Sequence, residues 1–160
     1  MTKPHAALRI GRRSLPGHAY LVTSTTAGRK PLFADTEIAF AAAAALAHAA
    51  NWQPSRLLAW VLMPDHWHAL LVLGDGDSLA RRIGWLKAES ARGLRRRFPE
   101  LRQVWATAYH DRALRREDDL RAAARYVVMN PVRAGLVQRV GDCPFWDAVW
   151  LQPHRLNASP

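Results

Sequence analysis

The sequence predicts an α+β domain with a ferredoxin-like fold: an antiparallel sheet with helices packed on one face, plus a C-terminal helix that carries a tyrosine. Three observations support this prediction. The predicted elements follow in the order strand, helix, strand, strand, helix, strand. The second and third strands are joined by a turn so short that they must be antiparallel neighbours. A long amphipathic segment follows them, and 160 residues are enough for one such domain.

One folded domain is predicted between two polar ends of the chain. Residues 1–17 form a basic arm interrupted by prolines and glycines, residues 18–150 form the domain, and residues 151–160 form a flexible tail. Hydrophobic residues make up 49% of the chain, which is enough for a packed core.

The first strand and the first helix are predicted from composition. Residues 18–25, HAYLVTST, alternate and are rich in β-branched side chains, as is typical of a strand. Glycine and proline within residues 27–31 end this strand. An alanine-rich run over residues 36–50 predicts a helix packed on the sheet, with Asp35 or Thr36 as its N-cap.

Two apolar runs in the middle of the chain predict a pair of strands. They cover residues 56–63, RLLAWVLM, and residues 67–73, WHALLVL. The turn between them contains Pro64, which cannot donate to the ladder of a central strand.

Residues 78–98 have the clearest helical pattern of the chain. Apolar or small residues recur every three or four positions and define one face: Leu79, Ile83, Leu86, Ser90, Leu94 and Phe98. Residues 103–112 predict a fourth strand from a weaker pattern. A last helix is predicted over residues 117–130, with three acids in its first turn and Pro131 at its end.

The charge of the chain predicts a polyanionic partner. Lysine and arginine number 23 against 13 acidic residues, for a formal net charge of +10, so nucleic acid is the first candidate. The single cysteine excludes a disulfide framework and a cysteine-based zinc finger. No apolar run approaches the roughly 20 residues that a membrane span needs, and no signal peptide is recognisable. We therefore expect a cytoplasmic, nucleoid-associated protein with no membrane partner.

His66 and His68 lie two residues apart on a predicted strand, so both imidazoles project from the same face while Trp67 points into the opposite layer. Two imidazoles on one strand make half of a divalent metal site. From spacing alone, a pair of partly exposed strand-end histidines is an equally good explanation. A barrel amidohydrolase, which also uses this spacing, would need about 250 residues.

Tyr126 and Asn130 lie one turn apart on the last predicted helix, at the flank of its apolar stripe. Each residue alone is more often a packing tyrosine or a helix cap. Together with His66 and His68 they suggest a metal beside a phenol. In a basic protein, the natural electrophile for such a site is a phosphodiester, and a metal would offset the poor nucleophilicity of a phenol at neutral pH.

Two blocks of sequence resemble the REP-associated tyrosine transposases, which are single-strand transposases with an HUH motif and one catalytic tyrosine. The first block is MPDHWHALLV at residues 63–72, and the second is RYVVMNPVRAGLV at residues 125–137. The stretch YLVTSTTAGRKPLF near the start and the W-x-x-x-Y-H-D-R pattern of residues 105–112 also fit. The likeness runs from about Tyr20 to Trp146 in matching order.

The resemblance implies a role for each site residue. His66 and His68 would be the metal-binding histidines of the HUH motif, and Asn130 would be the third protein ligand to Mg²⁺ or Mn²⁺. Tyr126 would be the nucleophile that forms a 5′-phosphotyrosine and releases a 3′-hydroxyl. The substrate would be single-stranded DNA with a small imperfect hairpin, cleaved and rejoined by a metal-dependent endonuclease and transposase.

Exposed arginines are the predicted phosphate contacts, since a guanidinium can bind phosphate with two hydrogen bonds. They lie in the basic arm and on the polar side of the 78–98 helix: Arg12, Arg13, Arg81, Arg82, Arg92, Arg95 and Arg96. Two alternatives stay open, a catalytically silent module that binds hairpins and an RNA-binding domain of the same fold. The sequence also does not decide between a monomer and a homodimer, or whether His110 or Asp111 acts as a base for Tyr126.

Overall fold

A computed structural model of the chain describes residues 14–115 and 119–151. The five strands are β1 (Ala19–Thr25), β2 (Arg56–Met63), β3 (His66–Val72), β4 (His110–Ala113) and β5 (Trp146–Ala148). The helices are α1 (Thr36–Ala47), α2 (Leu79–Arg97), α3 (Leu120–Val128) and α4 (Asn130–Arg133). Short 3₁₀ turns occupy Ala27–Arg29, Leu32–Ala34, Ala49–Asn51, Val140–Asp142 and Val149–Leu151.

The strands form a single sheet in the order β4-β1-β3-β2-β5, and every neighbouring pair is antiparallel. The first four strands have the order expected of a ferredoxin-like fold, which confirms the predicted fold class. β5 adds a short edge strand beside β2 that the sequence pattern did not predict, because three residues are too few to show alternation.

Helices α1 and α2 cover one face of the sheet. Both begin at predicted positions: the Asp35 side chain accepts hydrogen bonds from the first turn of α1, and the Ser78 hydroxyl accepts one from the first turn of α2. The core beneath them contains Trp67 of β3 and the predicted apolar stripe of α2, including Ile83 and Leu86. Fully burying side chains of this size stabilises the fold by about 1.5–3 kcal/mol each.

Helix α3 covers the opposite face of the sheet. Its buried side chains include Ala123, Ala124 and Val127, which pack with Val61 of β2 and Leu70 of β3. The two faces of the sheet therefore carry different helices. The predicted C-terminal helix, α3, and the short α4 that follows it lie on the face opposite to α1 and α2.

Three boundaries differ from the sequence predictions. The predicted fourth strand is wrong over most of its length, because β4 begins only at His110, and Trp105 makes an isolated bridge to Thr26. The last helix begins at Leu120, capped by Asp119, and its other two predicted first-turn acids lie outside the described residues. Pro131 does not end the helical segment, since it lies in the first turn of α4.

The ends of the predicted domain are only partly described. Residues 14–17 contact the sheet and α2: the Ser14 hydroxyl accepts a hydrogen bond from the Leu79 amide, and the Gly17 amide donates to the Leu73 carbonyl. The rest of the predicted arm and residues 152–160 of the predicted tail lie outside the described residues. Within the parts of the chain that are described, no helix is both long and apolar enough to cross a membrane.

Candidate functional site

The alternation of β3 divides its side chains between the two faces of the sheet. Trp67 points into the core beneath α1 and α2 and is 1% exposed. His66 and His68 point to the face that carries α3, and their ring centroids are 4.7 Å apart. The buried indole fixes the strand, so the two imidazoles are held side by side as the sequence spacing predicted.

Each imidazole is oriented through its Nδ1 atom. An oxygen of the Asp65 carboxylate lies 2.6 Å from His66 Nδ1, and the Thr23 hydroxyl lies 2.8 Å from His68 Nδ1. Contacts of this kind fix the ring orientation of metal-binding histidines and direct Nε2 towards the metal. No sequence pattern indicated Thr23, because only strand pairing brings it opposite His68.

His68 carries a shifted pKa. Burial, followed by the nearby His66 and Arg133, lowers the pKa of His68 to about 4. The ring is therefore neutral at pH 7, and a neutral imidazole is the form that can ligate a metal.

Tyr126 stands at the flank of α3, as its helical spacing predicted. The neighbouring Val127 is buried against the sheet, whereas Tyr126 is 59% exposed. The guanidinium of Arg133 lies 3.9 Å from the centroid of the phenol ring, and its Nη2 donates to the Tyr126 carbonyl at 2.7 Å. Arg133 thus contacts both the ring and the backbone of Tyr126, a role that no spacing pattern in the sequence indicated.

One pocket between β1, β3, β4 and α3 brings His68 and Tyr126 together. Its polar lining residues are Thr23, His68, His110, Asp111, Arg112 and Tyr126. The imidazole of His68 and the candidate nucleophile therefore face the same space on the same face of the sheet.

Asn130 is the first residue of α4. It does not line this pocket, but its side-chain amide contacts the backbone of Tyr126. Its Nδ2 donates to the Val127 carbonyl at 2.9 Å and to the Tyr126 carbonyl at 3.4 Å. Both hydrogen bonds use the amide nitrogen, so the amide oxygen is the atom that is left to bind a metal ion. Among the described residues, no group of three histidine, cysteine or acidic side chains could hold a metal. Two imidazole nitrogens and an amide oxygen are nevertheless donors of the kinds that a divalent transition metal accepts, and the amide oxygen is also a ligand type that suits Mg²⁺ and Mn²⁺.

The predicted arginines fall into three groups, which are four exposed residues of α2, two residues outside the described part of the chain, and the buried Arg82. Arg81, Arg92, Arg95 and Arg96 are exposed on α2, on the face of the sheet opposite to His66 and His68. Arg12 and Arg13 lie outside the described residues.

Arg82 lies on the buried side of α2, so the prediction that it contacts phosphate is wrong. Its side chain is only 10% exposed, and its Nε donates to the Asp77 carboxylate at 2.8 Å. Its Nη1 donates to the Asn51 carbonyl, also at 2.8 Å. The guanidinium is therefore occupied by the protein itself. The helical spacing already indicated this burial, because Arg82 is three residues from Leu79 and four from Leu86, on the buried side of the helix.

Comparison with known proteins identifies relatives of this chain. A REP-associated tyrosine transposase of Escherichia coli (strain K12) is 31% identical over 97 residues, covering 58% of this chain and 54% of that protein. A Haemophilus influenzae protein provisionally assigned to the same group is 32% identical over 102 residues, covering 58% of each chain. The matches thus span little more than half the length of these relatives. They confirm the resemblance to REP-associated tyrosine transposases.

A solved structure and a family model extend the comparison. The structure of a REP-associated tyrosine transposase bound to a REP hairpin superposes with a TM-score of 0.70, over 93% of this chain and 86% of that one. Its sequence identity of 23% makes this a likeness of fold. The model of the IS200-like transposases matches residues 15–130, which include both histidines, Tyr126 and Asn130. The chain belongs to the family of IS200-like transposases.

Proposed function

We propose that the protein is a metal-dependent single-strand DNA endonuclease and transposase that cleaves and rejoins REP-like hairpin DNA through a 5′-phosphotyrosine. One observation supports this most: His68 and Tyr126 line the same pocket, on the sheet face that also carries His66. The family of the chain and a relative of the same fold bound to a REP hairpin support hairpin DNA as the substrate.

In this proposal each residue has a defined role. His66 and His68 hold the cation through Nε2, and Asn130 holds it through its amide oxygen. Mg²⁺ or Mn²⁺, when bound, supplies polarisation of the phosphate and offsets the charge that develops on it. The Tyr126 oxygen attacks phosphorus, and the DNA strand departs with a 3′-hydroxyl. The phosphotyrosine keeps the energy of the phosphodiester bond, so a second 3′-hydroxyl can reverse the step and rejoin the strand.

The exposed arginines of α2 are proposed to bind DNA phosphates away from the scissile bond. Arg81, Arg92, Arg95 and Arg96 lie on the opposite side of the sheet from Tyr126. A hairpin with single-stranded flanks would have to pass the edge of the domain to contact both surfaces. Such contacts make affinity fall steeply with salt concentration.

Two observations weigh against the RNA-binding alternative. RNA-binding domains of this topology bind bases on an open sheet surface with aromatic side chains. Here helix α3 packs on that surface, and the aromatic residue of the central strand, Trp67, is buried on the other face.

The experiment that tests the proposal is the capture of a covalent adduct. A single-stranded oligonucleotide with an imperfect REP-type hairpin carries a fluorophore at its 3′ end, so that the label stays with the 5′-phosphotyrosine. With Mn²⁺, the wild-type protein should form a labelled adduct that resists denaturation, and Tyr126→Phe should form none. Tyr109→Phe, which removes a different phenol, is the matched control and should retain the adduct.

Either of two results would contradict the proposal. An adduct formed by Tyr126→Phe would mean that another group is the nucleophile. Tight hairpin binding by the wild-type protein with no adduct in either Mg²⁺ or Mn²⁺ would favour the catalytically silent binding module.

A further inference from the structure

The pairing of β1 with both of its neighbours brings a third histidine to the candidate site. Thr23 of β1 is opposite His68 on β3 and opposite His110 on β4. Residues directly opposite one another in a sheet project from the same face. His68, Thr23 and His110 therefore form a row across three strands, on the face that carries α3.

The same register separates His110 from its neighbour Asp111. Asp111 is paired with Val22, whose side chain is buried beneath α1 and α2. Because side chains alternate along a strand, the carboxylate of Asp111 is directed to that face and the imidazole of His110 to the other. Asp111 borders the cavities on both sides of this edge strand, but His110 is the one of the two candidate bases whose side chain the register directs to the face that carries Tyr126.

His110 lines the same pocket as the candidate nucleophile. Its lining includes His110 of β4 and Tyr126 of α3 as well as His68. Within the described residues, His110 does not complete a three-residue metal cluster with His66 and His68. An imidazole that shares a pocket with a phenol and with one histidine of the candidate metal-binding pair, without completing a metal cluster, is suited to proton transfer.

We propose that His110 accepts the proton of the Tyr126 hydroxyl during strand cleavage, an inference that rests on the function proposed above. The Tyr126 oxygen forms its bond to phosphorus as the bond between phosphorus and the 3′ oxygen breaks. The phenolic proton passes to the imidazole of His110. The departing 3′ oxygen, which lies opposite the attacking oxygen, takes a proton from solvent and leaves as a hydroxyl, and the imidazolium returns its proton to solvent. Rejoining runs the same transfers in reverse.

The test compares the rate of adduct formation with hairpin binding. Under single-turnover conditions with Mn²⁺ and the 3′-labelled hairpin oligonucleotide, His110→Ala should form the adduct about 10²–10⁴-fold more slowly. Its affinity for the uncleaved oligonucleotide should stay within about twofold of wild type, because no phosphate contact is removed. Free imidazole in the buffer should restore part of the lost rate, which a purely structural role would not allow.

Control variants keep the result interpretable. His48→Ala removes an exposed histidine at the end of α1 and should leave the rate and its response to imidazole unchanged. His110→Gln preserves a polar side chain at the edge strand, so it provides the slow enzyme if His110→Ala does not fold.

The outcomes separate this inference from the proposed function. If Tyr126→Phe abolishes the adduct but His110→Ala and His110→Gln react at the wild-type rate, the nucleophile stands and the assignment of His110 is wrong. Slow variants that imidazole does not accelerate also overturn the assignment. If the wild-type protein forms no adduct, both proposals fail together.

Discussion

Arg81 and Arg82 are adjacent on α2, but their substitution by alanine should have opposite consequences. Arg81 is exposed, and its Nη1 donates to the Gly76 carbonyl at 3.0 Å. Arg82 is paired with Asp77, whose side chain is 1% exposed. We expect Arg82→Ala to destabilise the domain without a specific effect on DNA binding, and Arg81→Ala to weaken DNA binding without a large effect on stability.

The magnitudes follow from burial. Removing one partner of a buried ion pair leaves the other charge without compensation and costs about 3–5 kcal/mol in the free energy of unfolding. For a domain of this size, that loss lowers Tm by roughly 6–20 °C. The Arg81 substitution should change the free energy of unfolding by no more than about 0.5 kcal/mol. If Arg81 contacts one phosphate, its loss should reduce the salt slope of DNA binding by about 1.

Two measurements check the pair of variants. Thermal unfolding followed by circular dichroism gives Tm, and titration of the labelled hairpin at several salt concentrations gives the slope. A Tm of Arg82→Ala within about 2 °C of wild type, a shift that corresponds to less than about 1 kcal/mol, would contradict a stabilising buried ion pair. Loss of salt-dependent affinity by folded Arg82→Ala, but not by Arg81→Ala, would contradict the assignment of the two side chains.

The same ion pair predicts how stability depends on pH. Burial alone would raise the pKa of the Asp77 carboxyl, but hydrogen bonds from Arg82, Ser55 and the Ser78 amide, together with the Arg82 charge, hold its pKa below the usual range. A lowered pKa in the folded state means that the pair contributes fully above the ordinary carboxyl pKa of about 4. This contribution is lost as pH falls through the lower, folded-state pKa. The Tm difference between wild type and Asp77→Asn should therefore be constant from pH 7 to 5 and shrink below about pH 4; a difference that grows at low pH would contradict this.

Two further substitutions test close contacts near the sheet. In Gly74→Ala, the new Cβ would lie 2.1 Å from the Pro54 carbonyl oxygen, so the backbone must move. Chemical denaturation should therefore give a free energy of unfolding that is lower by about 1–3 kcal/mol or more. An unchanged midpoint would mean that the two segments are not in contact. Thr23→Val removes the hydroxyl beside His68 Nδ1 while preserving the shape of the side chain. Calorimetric titration with Mn²⁺ should therefore show about 10–100-fold weaker binding, and Tm should be unchanged. Wild-type affinity for Mn²⁺ would exclude an orienting role for this hydroxyl.

The parts of the fold that follow from local periodicity were predictable from the sequence. The stripe from Leu79 to Leu94 is buried along α2 as its spacing requires, and alternation on β3 separates Trp67 from the two histidines. The segment around Trp105 misled the strand prediction because Val104 and Trp105 are apolar and both are buried. There, however, the Ala106 amide donates to the Thr25 carbonyl next to one isolated bridge, and no ladder forms. Sequence patterns report burial, whereas strand assignment depends on partners that lie elsewhere in the chain.

The candidate site was predictable only residue by residue. Helical spacing placed Tyr126 at the flank of α3, and strand spacing paired His66 with His68. The relation of these elements depends on which face of the sheet α3 covers, a tertiary property that no local pattern encodes. The same holds for the register of β1, which decides that His110 rather than Asp111 faces the site.

The contact of α3 with the sheet explains how a short helix can hold the candidate nucleophile beside the strands. Ala123 and Ala124 lie in this contact together with the larger Val127 and the partly buried Leu120, and the phenol of Tyr126 reaches the pocket from the flank of the helix. The imidazoles depend on a different contact, because Trp67 fixes their strand to the core beneath α1 and α2. The two halves of the candidate site are therefore held by apolar contacts on opposite faces of the sheet, and a substitution that loosens one contact should displace only the residues that this contact holds.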